Sequence, residues 1–354
     1  MKARMFVLFV LFATLANAQP LKVGVAGLTH DHAHGLMRQY KEGKVEILGI
    51  AEPDAKLAER YMKQYQLPAR IFYPSLNAML SKITPDAVLA YNAISEHLAV
   101  VEACAPKRIH VMVEKPLAFS MKDADRMKSL ADQYHIQLLV NYETTWYGSN
   151  QAIYKRVMSD EIGPIRKMVV HDGHGGPKEI GCSQDFLNWL TDPEKNGGGA
   201  IVDFGCYGAN LMTWLMNGRS PVAVTAVTRR FKPDIYPKVD DDATILVEYP
   251  GATGIIEASW NWPYGIKDLE VFGQKGYLQA VNGKTIRSRF KGEYDLTEAA
   301  APVYTSDIQY LSAVLKGEIQ PGNDLSSLSN NMIVVKILDA AIRSAKEGKR
   351  IELK

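Results

Sequence analysis

Leu21-Lys22-Val23-Gly24-Val25-Ala26-Gly27, running on into Leu28-Thr29-His30-Asp31-His32, is the stretch that decides the fold of this 354-residue chain. A short apolar run closing on glycine reads as a buried strand, and the helical stretch His32 to Glu42 behind it completes a strand–turn–helix unit. The alternation continues outward. Val45 to Ala51 is a second apolar strand ending at Glu52-Pro53-Asp54, and Ala55 to Gln66 has helical spacing. Arg70 to Tyr73, Asp86 to Tyr91, Arg108 to Val113 and Gln137 to Tyr142 read as further strands. Between them, helices are predicted over Leu76 to Ser81, with Ser75 as cap, Glu96 to Cys104 and Lys122 to Tyr134. Strands and helices in this order and of this length imply α/β architecture with a doubly wound parallel sheet.

Past Tyr142 the pattern changes. Val169 to Asp172, Val222 to Phe231, Ala243 to Tyr249, Ala252 to Trp260, Asp268 to Gly273 and Tyr277 to Ala280 read as strands joined by turns such as Tyr249-Pro250-Gly251. These predict a largely antiparallel, open-faced sheet in an α+β domain. Ala209 to Met216 would cover one face, and a second subunit would cover the other, because a broad apolar face is seldom left in water. Asn331 to Glu347 is predicted as the last helix. The expected organisation is a leader over 1–18, a nucleotide domain over 19–143 and a substrate domain over 144–354.

The leader reading rests on Lys2 and Arg4, the apolar run Met5 to Leu15, and Ala16-Asn17-Ala18 as a cleavage site. That run is short for a membrane span, so the mature chain is expected beyond the inner membrane, in the periplasm, with no membrane attachment after cleavage. Without residues 1–18 the basic and acidic residues balance at 39 each. No basic stripe is interleaved with aromatics, which excludes nucleic acid as the main partner. Cys104, Cys182 and Cys206 allow one disulfide at most and no disulfide framework.

The first strand–helix turn is where a dinucleotide pyrophosphate would rest. Of a G-x-G-x-x-G signature only Gly27 remains; Thr29 and His32 stand at the other glycine positions. Glu52 ends the second strand, where an acid accepts ribose hydroxyls and repels a 2′-phosphate, favouring NAD over NADP. His30 and His34 have the i, i+4 spacing of metal ligands, but no third ligand accompanies them, so no metal is expected. Hydrogen bonding to phosphate or substrate, or packing, is the reading for His30, His32 and His34. Lys115, in Glu114-Lys115-Pro116 at a strand's carboxyl end, points toward the ligand crevice. The run Gly197-Gly198-Gly199 leads into a predicted helix that puts Asp203, Tyr207 and Asn210 on one face. Tyrosine can take a hydroxyl proton if nearby positive charge, here from Lys115 and an oxidised nicotinamide, lowers its pKa. His171, Asp172, His174, Trp146, Tyr147, Trp189 and Asp192 are softer substrate candidates. Asp240-Asp241-Asp242 reads as structural.

Taken in order, Glu114-Lys115-Pro116, Gly197-Gly198-Gly199 with Asp203-x-Gly205, Asp241-Asp242, Ala258-Ser259-Trp260 and Ser344-Ala345-Lys346-Glu347-Gly348-Lys349 resemble the glucose–fructose oxidoreductase, inositol dehydrogenase and related (Gfo/Idh/MocA) family over residues 21–354. The resemblance implies a Rossmann domain, an open-faced sheet domain and a bound nicotinamide cofactor. It implies Lys115 as catalytic lysine, Asp203 as the aspartate of the second motif, and Tyr207 in place of the histidine base of many members, as in the glucose–fructose oxidoreductase branch. Asn210 replaces a frequent aspartate. His97 matches a histidine frequent near the cofactor. The expected cofactor contacts are Gly27, Leu28, Thr29, His30, Glu52, Asn92, His97, Glu114 and Lys115. The expected substrate contacts are Lys115, His174, Trp189, Asp203 and Tyr207.

Three functions follow as expectations. The first is an exported NAD-dependent oxidoreductase acting on a sugar or polyol hydroxyl or carbonyl, a homo-oligomer through its C-terminal sheet, which keeps its cofactor because free nicotinamide is scarce outside the cytoplasm. The second is a redox-neutral NAD-dependent glycosidase or lyase working through a transient keto-sugar. The third is a non-catalytic carbohydrate binder.

Overall fold

The computed structural model describes residues 20–353; the expected leader lies outside them. The first sheet contains β1 (Leu21–Ala26), β2 (Val45–Ala51), β3 (Phe72–Tyr73), β4 (Ala87–Ala90), β5 (His110–Glu114) and β6 (Leu138–Asn141). All are parallel, in the order β3-β2-β1-β4-β5-β6. The order reverses between β1 and β4, which opens the crevice where doubly wound sheets bind ligands. Five helices pack on this sheet: α1 (Ala33–Lys41), α2 (Ala55–Tyr65), α3 (Leu76–Leu80), α4 (His97–Cys104) and α5 (Met121–Tyr134). Val23, Val25, Val88, Val111 and Val113 are fully buried, as expected for strands covered on both sides.

The second domain opens with α6 (Gly148–Met158) and β7 (Ile165–Gly173), followed by α7 (Gln184–Leu190), α8 (Pro193–Asn196), α9 (Ala200–Asp203) and α10 (Gly205–Leu215). Then come β8 (Ala223–Arg229), β9 (Asp242–Tyr249), β10 (Ala252–Ser259), β11 (Ile266–Gly273), β12 (Tyr277–Ala280), β13 (Thr285–Arg289) and β14 (Asp295–Glu298), with α11 (Asp307–Leu315), α12 (Leu328–Glu347) and β15 (Ile351–Glu352) last. Nine strands form one sheet, ordered β14-β13-β12-β11-β7-β10-β9-β8-β15. Every pairing is antiparallel except β7 with β10. The six expected strands are present, and β13, β14 and β15 are additional. Their polarity hides them: β14 is exposed at every residue and β15 has two residues.

The single helix expected to carry Asp203, Tyr207 and Asn210 is instead two, broken at Phe204. Tyr207 and Asn210 share the second helix, but Asn210 is taken up by the core. Its side-chain amide donates to the Leu325 carbonyl at 2.8 Å in the core. Late elements return to the first domain. Ile308, Leu311 and Val314 of α11 belong to the core around Val23 and Val25, and the Ser326 carbonyl accepts from Val140 N–H of β6 at 3.0 Å.

The triple aspartate is structural. Asp240 accepts the N–H groups of Gly199 and Ile201 at 2.8 and 2.7 Å. Asp241 accepts those of Phe231 and Lys232 at 2.8 and 2.6 Å, and Asp242 accepts the Ser259 hydroxyl at 2.7 Å. Gly199 is pressed so close that a Cβ would stand 1.7 Å from the Asp240 carbonyl oxygen. Gly199→Ala is therefore expected to lower stability by about 3 kcal/mol, since backbone faces the intruding methyl; urea unfolding measures it, and a wild-type midpoint would contradict the packing.

Candidate active site at the domain junction

Gly27 has φ +77°, and a Cβ on it would meet the Cβ of Asn92 at 2.7 Å, so the turn requires glycine here. Glu52 is buried beneath the turn. Its two carboxylate oxygens accept Leu28 N–H at 2.8 Å and Asp54 N–H at 2.9 Å. Burial raises its pKa, and these two N–H groups offset part of the rise. Gly27, Thr29, Glu52, Pro53 and Asn92 line a cavity of about 370 Å³ at the end of the first sheet. The side-chain oxygen of Asn92 is buried there without a hydrogen-bond partner.

The turn histidines separate. His34 stacks on Tyr61 with ring centroids 5.0 Å apart, and its Nδ1 meets the Tyr65 hydroxyl at 2.6 Å. It is spent on packing, and the i, i+4 pair with His30 does not form a site. His30, His32 and Glu114 bring one ligand-type atom each within 4.8 Å of one another, but their hydrogen bonds already assign the protons. Nδ1 of His30 accepts His32 N–H at 3.1 Å. Burial pushes the His30 pKa well down, with His32 and Lys115 adding to the effect. The neutral ring therefore carries its proton on Nε2, which is buried and unpartnered. His97 has the opposite tautomer. Its Nδ1 donates to the Leu117 carbonyl at 3.1 Å, burial pushes its pKa down to about 4, and its buried Nε2 offers an unused lone pair.

At the end of β5 the Lys115–Pro116 bond is cis. The Lys115 ammonium, 6% exposed, donates to the Asp203 carboxylate and, at 3.2 Å, to the Asp203 carbonyl. Burial is the largest influence on Lys115 and would lower its pKa, but the charge and hydrogen bond of Asp203, with Cys206 and Glu114, together outweigh it and the net shift is upward. Burial likewise works against the Asp203 carboxylate, and Lys115 brings its pKa below the ordinary value. The other Asp203 oxygen accepts the Trp260 indole N–H at 3.0 Å. Tyr207 lies beside this pair, with the Lys115 ammonium 5.2 Å and the Lys267 ammonium 4.6 Å from its ring centroid. Lys115 by itself does not bring about the lowered tyrosine pKa expected of it together with an oxidised nicotinamide. Burial first, then the charges of Asp172 and Glu143, hold the phenol well above its ordinary value.

His174 stands edge-on to Phe204 and accepts Gly176 N–H on Nδ1 at 2.9 Å. Trp189 is not an open sugar platform. At 4% exposure it packs on His30 and Phe186, and its indole N–H reaches the Thr29 carbonyl at 3.4 Å.

Residues 21–142 match the sequence model of the oxidoreductase family with NAD-binding Rossmann fold, and residues 150–279 match the GFO/IDH/MocA C-terminal domain. The chain belongs to the Gfo/Idh/MocA family. Among curated relatives, trans-1,2-dihydrobenzene-1,2-diol dehydrogenase of Bos taurus is 23% identical over 64% of this chain and 63% of its own length. This match thus spans less than two thirds of the bovine protein. The Xenopus tropicalis protein of that name is 21% identical over 84% of this chain and 89% of its own. The fold is shared with an aldose-aldose oxidoreductase from Caulobacter crescentus crystallised with glycerol (TM-score 0.80, 23% identity, covering 94% of this chain and 100% of that one). It is also shared with an inositol dehydrogenase homolog from Azotobacter vinelandii crystallised with NAD+ (TM-score 0.80, 16% identity, covering 95% and 98%).

In this Gfo/Idh/MocA chain the structure adds Lys267 and Glu143, which sequence reasoning passed over, to the candidate Asp172. Lys267, on β11, pairs in register with Asp172 on β7 and donates to Glu143 at 2.5 Å. A lysine at a strand's start gives no signal until the register sets it opposite a buried acid. Asp172 is 1% exposed with an unpartnered oxygen, and burial, only partly offset by Lys267 and Lys115, pushes its pKa up to about 8.

The folded pKa of Asp172 lies above the unfolded one, so the folded state holds the extra proton between about pH 4 and 8 and loses stability as pH rises through that window. Asp172→Asn is expected to flatten this decline when urea midpoints are followed from pH 5 to 9. Parallel curves for the two proteins would contradict it.

Proposed function

We propose that the protein is an exported NAD-dependent oxidoreductase that moves hydride between a sugar or polyol carbon and a nicotinamide it keeps bound. The observation that carries this reading is the buried Lys115–Asp203 pair beside Tyr207, next to the turn that ends in Gly27. The ligands crystallised with structural neighbours, glycerol in one and NADH with myo-inositol in another, support the same substrate class. Export rests on residues 1–18, and self-association rests on the outer sheet face, where Val227 and Phe272 are exposed.

The residues fit the cofactor. The cavity by Gly27 and Glu52 suits the adenosine half, and the Glu52 carboxylate disfavours a 2′-phosphate. His30 offers a buried N–H and His97 a buried lone pair, the complement of a carboxamide. When bound, the nicotinamide supplies or accepts the hydride. The chain does the rest. The Lys115 ammonium, fixed by Asp203, donates to the substrate oxygen and stabilises negative charge there. Tyr207, kept as a phenol, gives its proton to that oxygen when a carbonyl is reduced.

The second domain also shuts the turn. Ser183 N–H donates to Asp31 at 2.9 Å, Arg60 pairs with Asp185, and Phe186 and Trp189 pack on His30. Contacts across this turn would help to keep a bound cofactor in place, which suits a compartment that cannot replace it.

Protein taken from its native compartment and denatured should release about one NAD per chain, read by absorbance and mass. With an active sugar, Lys115→Met should lose about 1,000-fold in kcat/KM and Tyr207→Phe about 100-fold. Failure both to carry NAD and to bind it when added would overturn the reading. NAD bound without any net or internal hydride movement would favour a carbohydrate binder.

A further inference from the structure

Lys115, Tyr207 and Asp172 hold protons at neutral pH, and the carboxylates of Glu143 and Asp203 are paired with lysines, so none of these groups is free to accept a proton from carbon. The hydrogen bonds of the histidines show where such a group lies. His174 accepts Gly176 N–H on Nδ1, so a neutral His174 carries its proton on Nε2; His30 is the same. The lone pair of His97 is fully buried. His32 differs. Its Nδ1 meets Glu114 at 2.9 Å, and the other Glu114 oxygen accepts the Asn141 amide at 2.9 Å. An ionised carboxylate only accepts, so the proton of neutral His32 sits on Nδ1 and the lone pair is on Nε2. The His32 side chain is 41% exposed, whereas Glu114 is 2% exposed. Glu114, which His32 contacts, is the last residue of β5 and immediately precedes Lys115, so the His32 ring stands at the same strand end as the crevice lysine.

We propose that His32, oriented by Glu114, is a carbon base of this site: it removes the proton from the carbon beside a substrate ketone. The inference rests on the hydride-transfer reading for the origin of that ketone. The C–H electron pair becomes the new carbon–carbon π bond, the carbonyl pair moves to oxygen beside the Lys115 ammonium, and the proton stays on Nε2 until it is returned. Glu114 and Lys115 are consecutive, so one strand end sets both the base and the cation that stabilises the enolate. This exchange is the step that epimerisation or elimination through a ketone requires. Glu114 is a positioning residue in this scheme, holding the tautomer as carboxylates do for other catalytic histidines.

The test uses NAD+-loaded protein in D2O with methyl glucosides oxidised at carbon 2, 3 or 4, following loss of the neighbouring proton signal by NMR. Reduction of the same ketones by NADH is measured separately. Wild type should exchange at least one ketone faster than buffer does, and His32→Asn should lose about 100-fold of that rate. Labelled-histidine 15N NMR on unaltered protein should show neutral His32 protonated on Nδ1. Ketones reduced but not exchanged, equal exchange in His32→Asn, or an Nε2-protonated His32 would each overturn the proposal. Exchange without reduction would support the base and defeat the hydride reading; neither reaction would defeat both.

Discussion

The arrangement of this molecule depends on a buried charge pair shared by two domains. Lys115 ends a strand of the first sheet, Asp203 ends a short helix of the second domain, and both are nearly removed from water. Each ion alone would bear a desolvation cost of several kcal/mol; together they offset it only if geometry is good and the remaining hydrogen-bonding capacity is used. Trp260 takes the second Asp203 oxygen, and the Asp203 carbonyl takes a second lysine proton. The pair therefore fixes the relation between the sheets while holding a cation where negative charge on a substrate oxygen would develop.

Around it, polar groups are divided between closure and chemistry. Asp240, Asp241 and Asp242 use their oxygens on nearby N–H and O–H groups, and Asp240 holds the glycine run that leads to Asp203. Asp172, Lys267, Glu143 and Tyr207 form a second, partly unsatisfied group across the crevice. Buried groups left without partners are costly; among them, Asn92, His30, His97 and Asp172 stand where a ligand would supply the missing contacts.

The first sheet was legible in sequence because its strands are continuous apolar runs between helices of ordinary length. Lys115 and Asp203 were legible as residue types at strand and helix ends. What escaped were relations that only tertiary pairing creates. The absence of a third metal ligand near His30 argued against a metal, and the fold brings Glu114 to His32 from 82 positions away, as a hydrogen-bond partner. Lys267 becomes a site residue through strand register, and Trp189 becomes buried packing because the second domain folds onto the turn. Asn210 is taken up by the core through the Leu325 carbonyl, a partner 115 positions away that helical spacing could not foresee. The raised Tyr207 pKa comes first from tertiary burial and then from Asp172 and Glu143, both distant in sequence.

The most direct measurement is the stability of Lys115→Met, Asp203→Asn and the double variant, each by thermal and urea unfolding. If the buried pair is the constraint described here, either single change strands a charge and costs about 3–5 kcal/mol. The double variant should then be at least as stable as the weaker single. Costs that simply add would show that the two residues do not depend on one another, and would contradict the account.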